Sequence, residues 1–117
     1  MIETFKALSE ESRLRILALL VDRDMCVCDI EKELNMTQSN VSRHLSALKN
    51  SGIVESNKKA QWAYYGISEK FKSDYQFLWL FLKEKFDQPP YIQWKKIRDE
   101  LSQRDESFDC LNTQIDL

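Results

Sequence analysis

At 117 residues the chain can build one apolar core but not two independent ones, so one compact domain with a tail is expected. No apolar run approaches the roughly 18 residues needed to cross a bilayer, and "MIETFKALSEESR" lacks the charged, apolar and small-residue order of a signal peptide; the expectation is a cytoplasmic protein without a membrane role. The net charge of −2 argues against a nucleic-acid binder until its distribution is read: residues 37–61 carry Arg43, Lys49, Lys58 and Lys59 against Glu55 alone, whereas residues 99–117 carry Asp99, Glu100, Asp105, Glu106, Asp109 and Asp116 against Arg104 alone.

Residues 1–8 read as a short amphipathic helix with Ile2, Phe5 and Leu8 on one side. Ser9 is placed to cap a second helix, "EESRLRILALLVD", where Leu14, Leu17 and Val21 recur at helical spacing and Glu10 and Glu11 suit the positive N-terminal end. A third helix is expected over about 28–34, with Val27, Ile30 and Leu34 inward, followed by a break at Asn35 and Met36. Thr37 then caps "TQSNVSRHLSALKNSG", whose Val41, Leu45 and Leu48 form a core stripe and whose Gly52 stops the helix.

The opposite face of that helix is short, polar and partly basic: Ser39, Ser42, Ser46 and Lys49, joined by Gln38 and Arg43. A short helix, a tight break and a second helix with a polar N-terminal turn is the helix-turn-helix arrangement, whose second helix enters the major groove. After Gly52 the period changes to about 2, and "IVESN" and "WAYYGI" flank the basic tip "KKAQ", which predicts a two-stranded hairpin serving as a wing. Ser68 caps a predicted long helix over 69–87 whose apolar residues surround much of its circumference, more than one small monomer can bury, and this implies a partner copy. Gln88, Pro89 and Pro90 break it. Trp94, Ile97 and Leu101 then mark a last amphipathic helix, and residues 105–117 show no period and are expected to be mobile. The domain reading is therefore 1–90 for DNA binding and dimerisation and 91–117 for a C-terminal helix and acidic tail.

Base-edge recognition needs short donors and acceptors, and phosphates need cations. Thr37, Gln38, Ser39, Ser42 and Arg43 fit the first role, and Lys49, Lys58, Lys59, Gln61 and Tyr64 the second. His44, the sole histidine, sits beside Arg43 as a packing or phosphate-contacting residue; alone it supports neither a nitrogen-rich metal site nor a catalytic triad. Nothing resembling a catalytic cleft accompanies it, so an enzyme is not expected.

The run "MCVCDIEKELNMTQSNVSRHLSALKNSGIVESNKKAQWAYYGIS" resembles the central part of the ArsR/SmtB family of winged-helix metalloregulatory repressors, and "CVCD" resembles its arsenic-sensing branch. The resemblance covers about residues 3–87 and implies a mainly α fold with a small β-hairpin, a winged helix-turn-helix. It further implies a homodimer on palindromic double-stranded operator DNA, released when a thiophilic ion binds. Other metal sites of that family use histidines on the last helix, and residues 69–87 contain none.

Three cysteines in a reduced compartment disfavour a disulfide framework and raise metal or thiol chemistry. Residues i and i+2 of a regular helix point about 200° apart, so Cys26 and Cys28 cannot grip one ion from an unbroken helix, and chelation is expected to hold or force that turn out of helical geometry. A thiolate pair selects soft ions: As(III) or Sb(III) as inducer first, Cd(II), Pb(II) or Zn(II) after them. Relatives can carry a further cysteine three residues after the second, where this chain has Glu31, which leaves Cys110 as the third candidate ligand. A switch driven by cysteine oxidation is the alternative. A small thiol oxidoreductase is disfavoured, because the chain lacks the alternating strands and helices of a thioredoxin-like fold.

Overall fold

The computed structural model describes residues 1–94. Helix α1 (Ile2–Leu8) and helix α2 (Glu11–Leu20) lead into a two-residue strand, β1 (Met25–Cys26), then α3 (Val27–Leu34) and α4 (Gln38–Asn50). The hairpin β2 (Val54–Lys59) and β3 (Trp62–Ile67) follows, and α5 (Glu69–Asp74) and α6 (Gln76–Phe86) complete the described elements. This is a winged helix-turn-helix, mainly helical with one small antiparallel sheet.

The core forms where α2, α3 and α4 converge on the sheet: Ile16, Leu17, Leu19, Leu20, Met25, Ile30, Val41, Leu45, Leu48 and Ile53 are fully buried. Local chemistry sets the helix ends. Thr37 Oγ1 accepts from the Asn40 N–H at 3.2 Å and Ser68 Oγ from the Phe71 N–H at 3.2 Å, each supplying a first-turn donor with the acceptor that the helix lacks. At the far end of α4, the Gly52 N–H reaches the Lys49 carbonyl at 3.0 Å and the Ile53 N–H the Leu48 carbonyl at 2.9 Å. That paired closure requires a left-handed residue after the cap, and Gly52 has φ +82°.

Four expectations are corrected. The sheet has three strands in the order β1-β3-β2, because Met25 and Cys26 pair with Tyr65 and Tyr64 on the outer side of the hairpin. Residues 69–87 form two helices, since Tyr75 leaves helical geometry at φ −122°, ψ 46° while its ring stacks on Phe71 at 5.4 Å and its hydroxyl accepts from Thr4 of α1 at 3.5 Å. Ser9 closes α1, donating to the Lys6 carbonyl at 2.7 Å, and α2 starts from Glu10 without a side-chain cap bond. In α1 the buried residues are Thr4 and Ala7, while Ile2 and Phe5 are exposed.

After α6 the chain returns to α2. Tyr91 Oη donates to Glu11 at 3.0 Å, and the Arg15 guanidinium lies 5.7 Å from the Trp94 ring, which is buried. Ile97, Leu101 and the acidic tail expected beyond them lie outside the described residues.

Candidate nucleic-acid interface and thiol site

Because Val41, Leu45 and Leu48 anchor α4 to the core, the residues between them face outward: Gln38, Ser39, Ser42, Arg43 and Lys49 are exposed, as is Thr37 at the cap. Beyond the sheet the hairpin holds out Lys58, Lys59 and Gln61, all exposed. Polar groups of groove-reading size and cations of phosphate-binding type thus occupy two separate projections of one body.

His44 is the exception, only 4% exposed. Its ring is turned inward, with Arg13 Nε of α2 donating to Nδ1 at 3.2 Å and Arg43 Nη2 3.3 Å from Nε2. Burial, then the charge of Arg43, with Arg13 adding to it, holds the imidazole below its ordinary pKa, against the pull of Glu10. The ring therefore favours its neutral form and lies packed inside between Arg13 and Arg43.

The thiols sit at a joint between elements. Cys26 is the last residue of β1 and the N-cap of α3, with extended backbone at φ −85°, ψ 166°. Cys28 is the second residue of that helix and half-buried. The conflict expected of two cysteines in one unbroken helix does not arise, because one of them precedes the helix. Cys26 is disulfide-bonded and Cys28 is a free thiol. A cleft of about 370 Å³ is lined by both cysteines, Glu31 of α3, Gln38 of α4 and Trp62 and Ala63 of β3.

Tyr64, expected at a phosphate, is buried at this site instead, and Trp62, which no expectation covered, packs there as well. Among the described residues, Cys26 and Tyr64 form a small buried cluster apart from the main core, with Cys28 and Trp62 packed against it. Only the register Cys26 opposite Tyr64 brings them together, and a two-residue strand has no period to read. Among the described residues, no group of three or more His, Cys, Asp or Glu side chains is placed to hold a metal ion. With Cys26 reduced, the two cysteines would offer two sulfurs, a set that suits a soft ion rather than a hard one. Cys110 lies outside the described residues.

Helix-turn-helix, wing and exposed polar recognition helix define a DNA-binding transcriptional regulator, not an enzyme. The model of "Bacterial regulatory protein, arsR family" matches residues 10–56. An HTH-type transcriptional regulator of Methanocaldococcus jannaschii is 46% identical over 66 residues, covering 56% of this chain and 74% of that protein. The chain belongs to the arsR family.

The arsenical resistance operon repressor of Escherichia coli K12 is 40% identical over 68 residues, 57% of this chain and 58% of the repressor. The cadmium resistance regulatory protein CadC of Listeria innocua is 44% identical over 64 residues, 54% of each chain. The chain thus spans little more than half the length of these two relatives. Among solved structures, the homodimeric winged helix-turn-helix DNA-binding domain of a possible ArsR-family regulator from Mycobacterium bovis superposes with TM-score 0.61 at 29% identity, covering 74% of this chain and 81% of that one. No helix among the described residues is long and apolar enough to cross a membrane.

Proposed function

We propose that this protein is a homodimeric repressor of an arsenic-resistance operon, released from its operator when As(III) or Sb(III) binds the thiolates of Cys26 and Cys28. The observation that carries the reading is the position of the pair: one sulfur on the wing sheet, the other in the first turn of the helix packed against α4. An ion that joins them ties together the two parts that hold DNA. Capture starts from the protein with Cys26 reduced by a cellular thiol. It exchanges hydroxyl groups on the trivalent centre for sulfur with release of water, leaving the oxidation state unchanged. Cys110 is the candidate third sulfur.

On DNA, Thr37, Gln38, Ser39, Ser42 and Arg43 read base edges, while Lys49, Lys58, Lys59 and Gln61 hold phosphates. Two copies joined through α1 and α6 set the spacing of the half-sites. Release requires only that the ion favour the conformation that binds DNA poorly, and typical couplings of about 1–3 kcal/mol lower operator affinity about 5- to 150-fold.

The disulfide at Cys26 favours a second reading, in which oxidation replaces the ion as the trigger. Operator binding by fluorescence anisotropy, with reduced protein and added arsenite, antimonite, cadmium, lead, zinc or peroxide, separates the two. Arsenite or antimonite should release wild type and leave Cys26→Ser and Cys28→Ser bound to DNA. Release of either variant by arsenite removes that sulfur from the site, and response to peroxide alone selects the redox reading. Cys110→Ser decides the third ligand: loss of the arsenite response makes it one, and an unchanged response leaves a two-sulfur site.

A further inference from the structure

We propose that Arg13 of α2 is a positioning residue for operator reading, acting through His44 to leave the guanidinium of Arg43 free for DNA. The inference rests on the reading of Arg43 as a base-contacting residue. A line of side chains runs from the start of α2 to the exposed side of α4. Glu10 Oε2 lies 2.8 Å from Arg13 Nη2, Arg13 Nε donates to His44 Nδ1 at 3.2 Å, and Arg43 Nη2 stands 3.3 Å from His44 Nε2. The inner members are sheltered: His44 is buried and the Arg13 side chain is 16% exposed. Arg43 is exposed, and among the described residues no carboxylate pairs with it.

A neutral imidazole has one N–H and one accepting nitrogen, and burial favours that neutral form here. Two guanidinium groups therefore compete for one acceptor. Arg13 wins it, because its ion pair with Glu10 anchors the side chain against the ring, whereas the exposed Arg43 has water as another partner. With Nδ1 accepting, the ring proton sits on Nε2 and meets Arg43 Nη2 donor to donor, so the ring offers Arg43 nothing to bind. The opposite tautomer has its partners in place too. Glu10 Oε2, 3.6 Å from Nδ1, would face a proton there, and Nε2 would then accept from Arg43. Arg13 suppresses that state twice, by filling Nδ1 and by occupying the Glu10 carboxylate. Without Arg13, Nε2 gives its proton to water, Nδ1 takes one from water, and Nε2 draws Arg43 back onto the protein. The guanidinium must then break a charge-assisted hydrogen bond before it can reach a base edge.

The test uses the full-length protein, a duplex that wild type selects from a random-sequence pool, and a scrambled duplex of the same composition. Anisotropy gives the ratio of the two affinities, from which the charge lost with Arg13 cancels because it weakens both duplexes alike. Arg13→Met keeps the apolar stem and removes the donors. Its ratio should fall about three- to tenfold, and adding Arg13→Met to Arg43→Ala should lower the ratio no further. His44 is the sole histidine, so isotope labelling of histidine isolates this ring. Proton–nitrogen correlation spectra should place the ring proton on Nε2 in wild type and on Nδ1 in Arg13→Met. An unchanged ratio in Arg13→Met, an equal fall in both backgrounds, or a proton still on Nε2 in the folded variant overturns the positioning role. So does a wild-type ring protonated at Nδ1, a result that decides even where Arg13→Met does not fold. An Arg43→Ala ratio equal to that of wild type overturns the reading of Arg43 on the operator instead, so the two failures are told apart.

Discussion

Arg43 Nη2 stands 3.3 Å from Nε2 of His44, its neighbour in sequence, so an exposed cation of α4 rests on a buried ring. The other nitrogen, Nδ1, receives Arg13 Nε at 3.2 Å. A neutral imidazole accepts at one nitrogen only, so the ring can satisfy one guanidinium at a time. A protonated ring accepts from neither and adds a third positive charge to the pair, opposed by Glu10, 3.6 Å from Nδ1.

The sign of the pH dependence follows. The folded-state pKa of His44 lies below its ordinary value of 6.5, so between the two values the unfolded chain binds more protons than the folded one. Its contribution to stability is complete above the ordinary value and is lost as pH falls through that window. Urea unfolding of wild type and His44→Asn at pH 7.5 and pH 5.5 checks this: wild type should lose more stability on acidification than the variant, which has no ring to protonate. Parallel losses would show that His44 does not titrate against folding.

For Arg43→Ala, operator affinity should fall by about 1–3 kcal/mol with relaxed preference at one base position, the signature of a base contact. Lys58→Gln should instead weaken binding to all sequences alike and lower the salt slope by about 1, as a phosphate contact does. Salt titrations on operator and scrambled duplexes give both numbers. An Arg43→Ala protein with unaltered affinity would place that side chain away from DNA.

The features legible in the sequence are those set by neighbours along the chain. Thr37, Ser68 and Gly52 end their helices through bonds spanning a few residues, and Val41, Leu45 and Leu48 show their stripe directly. Those that were not legible depend on distant partners. Strand Met25–Cys26 exists because β3 offers it an edge, the inward turn of His44 because Arg13 waits on α2, and the break at Tyr75 because its ring and hydroxyl find Phe71 and Thr4. At the candidate site, the spacing of Cys26 and Cys28 announced the sulfurs, whereas Tyr64, legible only as a candidate phosphate contact, is brought beside them by sheet register.

Ala60 concerns the wing alone. Lys59 pairs with Trp62, so Ala60 and Gln61 form a two-residue turn, and Ala60 takes φ +55°, a region that favours glycine. Ala60→Gly relieves the backbone but loosens the unfolded chain, and because alanine is the strained partner here the relief dominates. The variant should gain about 0.5–1 kcal/mol by thermal or urea unfolding, with slower amide exchange in β2 and β3. A loss of stability of that size would mean that the turn accommodates alanine without strain.

Helix α6 carries two apolar faces. Trp79, Leu82 and Phe86 are buried in the body, while Phe77, Leu80 and Phe81 recur at i, i+3 and i+4 on the exposed side, Phe77 at 80% exposure. Ile2 and Phe5 of α1 are exposed as well. Covering such side chains with a second copy is worth about 1.5–3 kcal/mol each. Leu80→Glu places a charge in that contact on both copies at once by symmetry, while leaving the core of each copy untouched. Analytical ultracentrifugation should then show a monomer with wild-type circular dichroism, and operator affinity should fall because two half-sites are no longer read by one body. A Leu80→Glu protein that sediments as a wild-type dimer would move the interface off this face of α6.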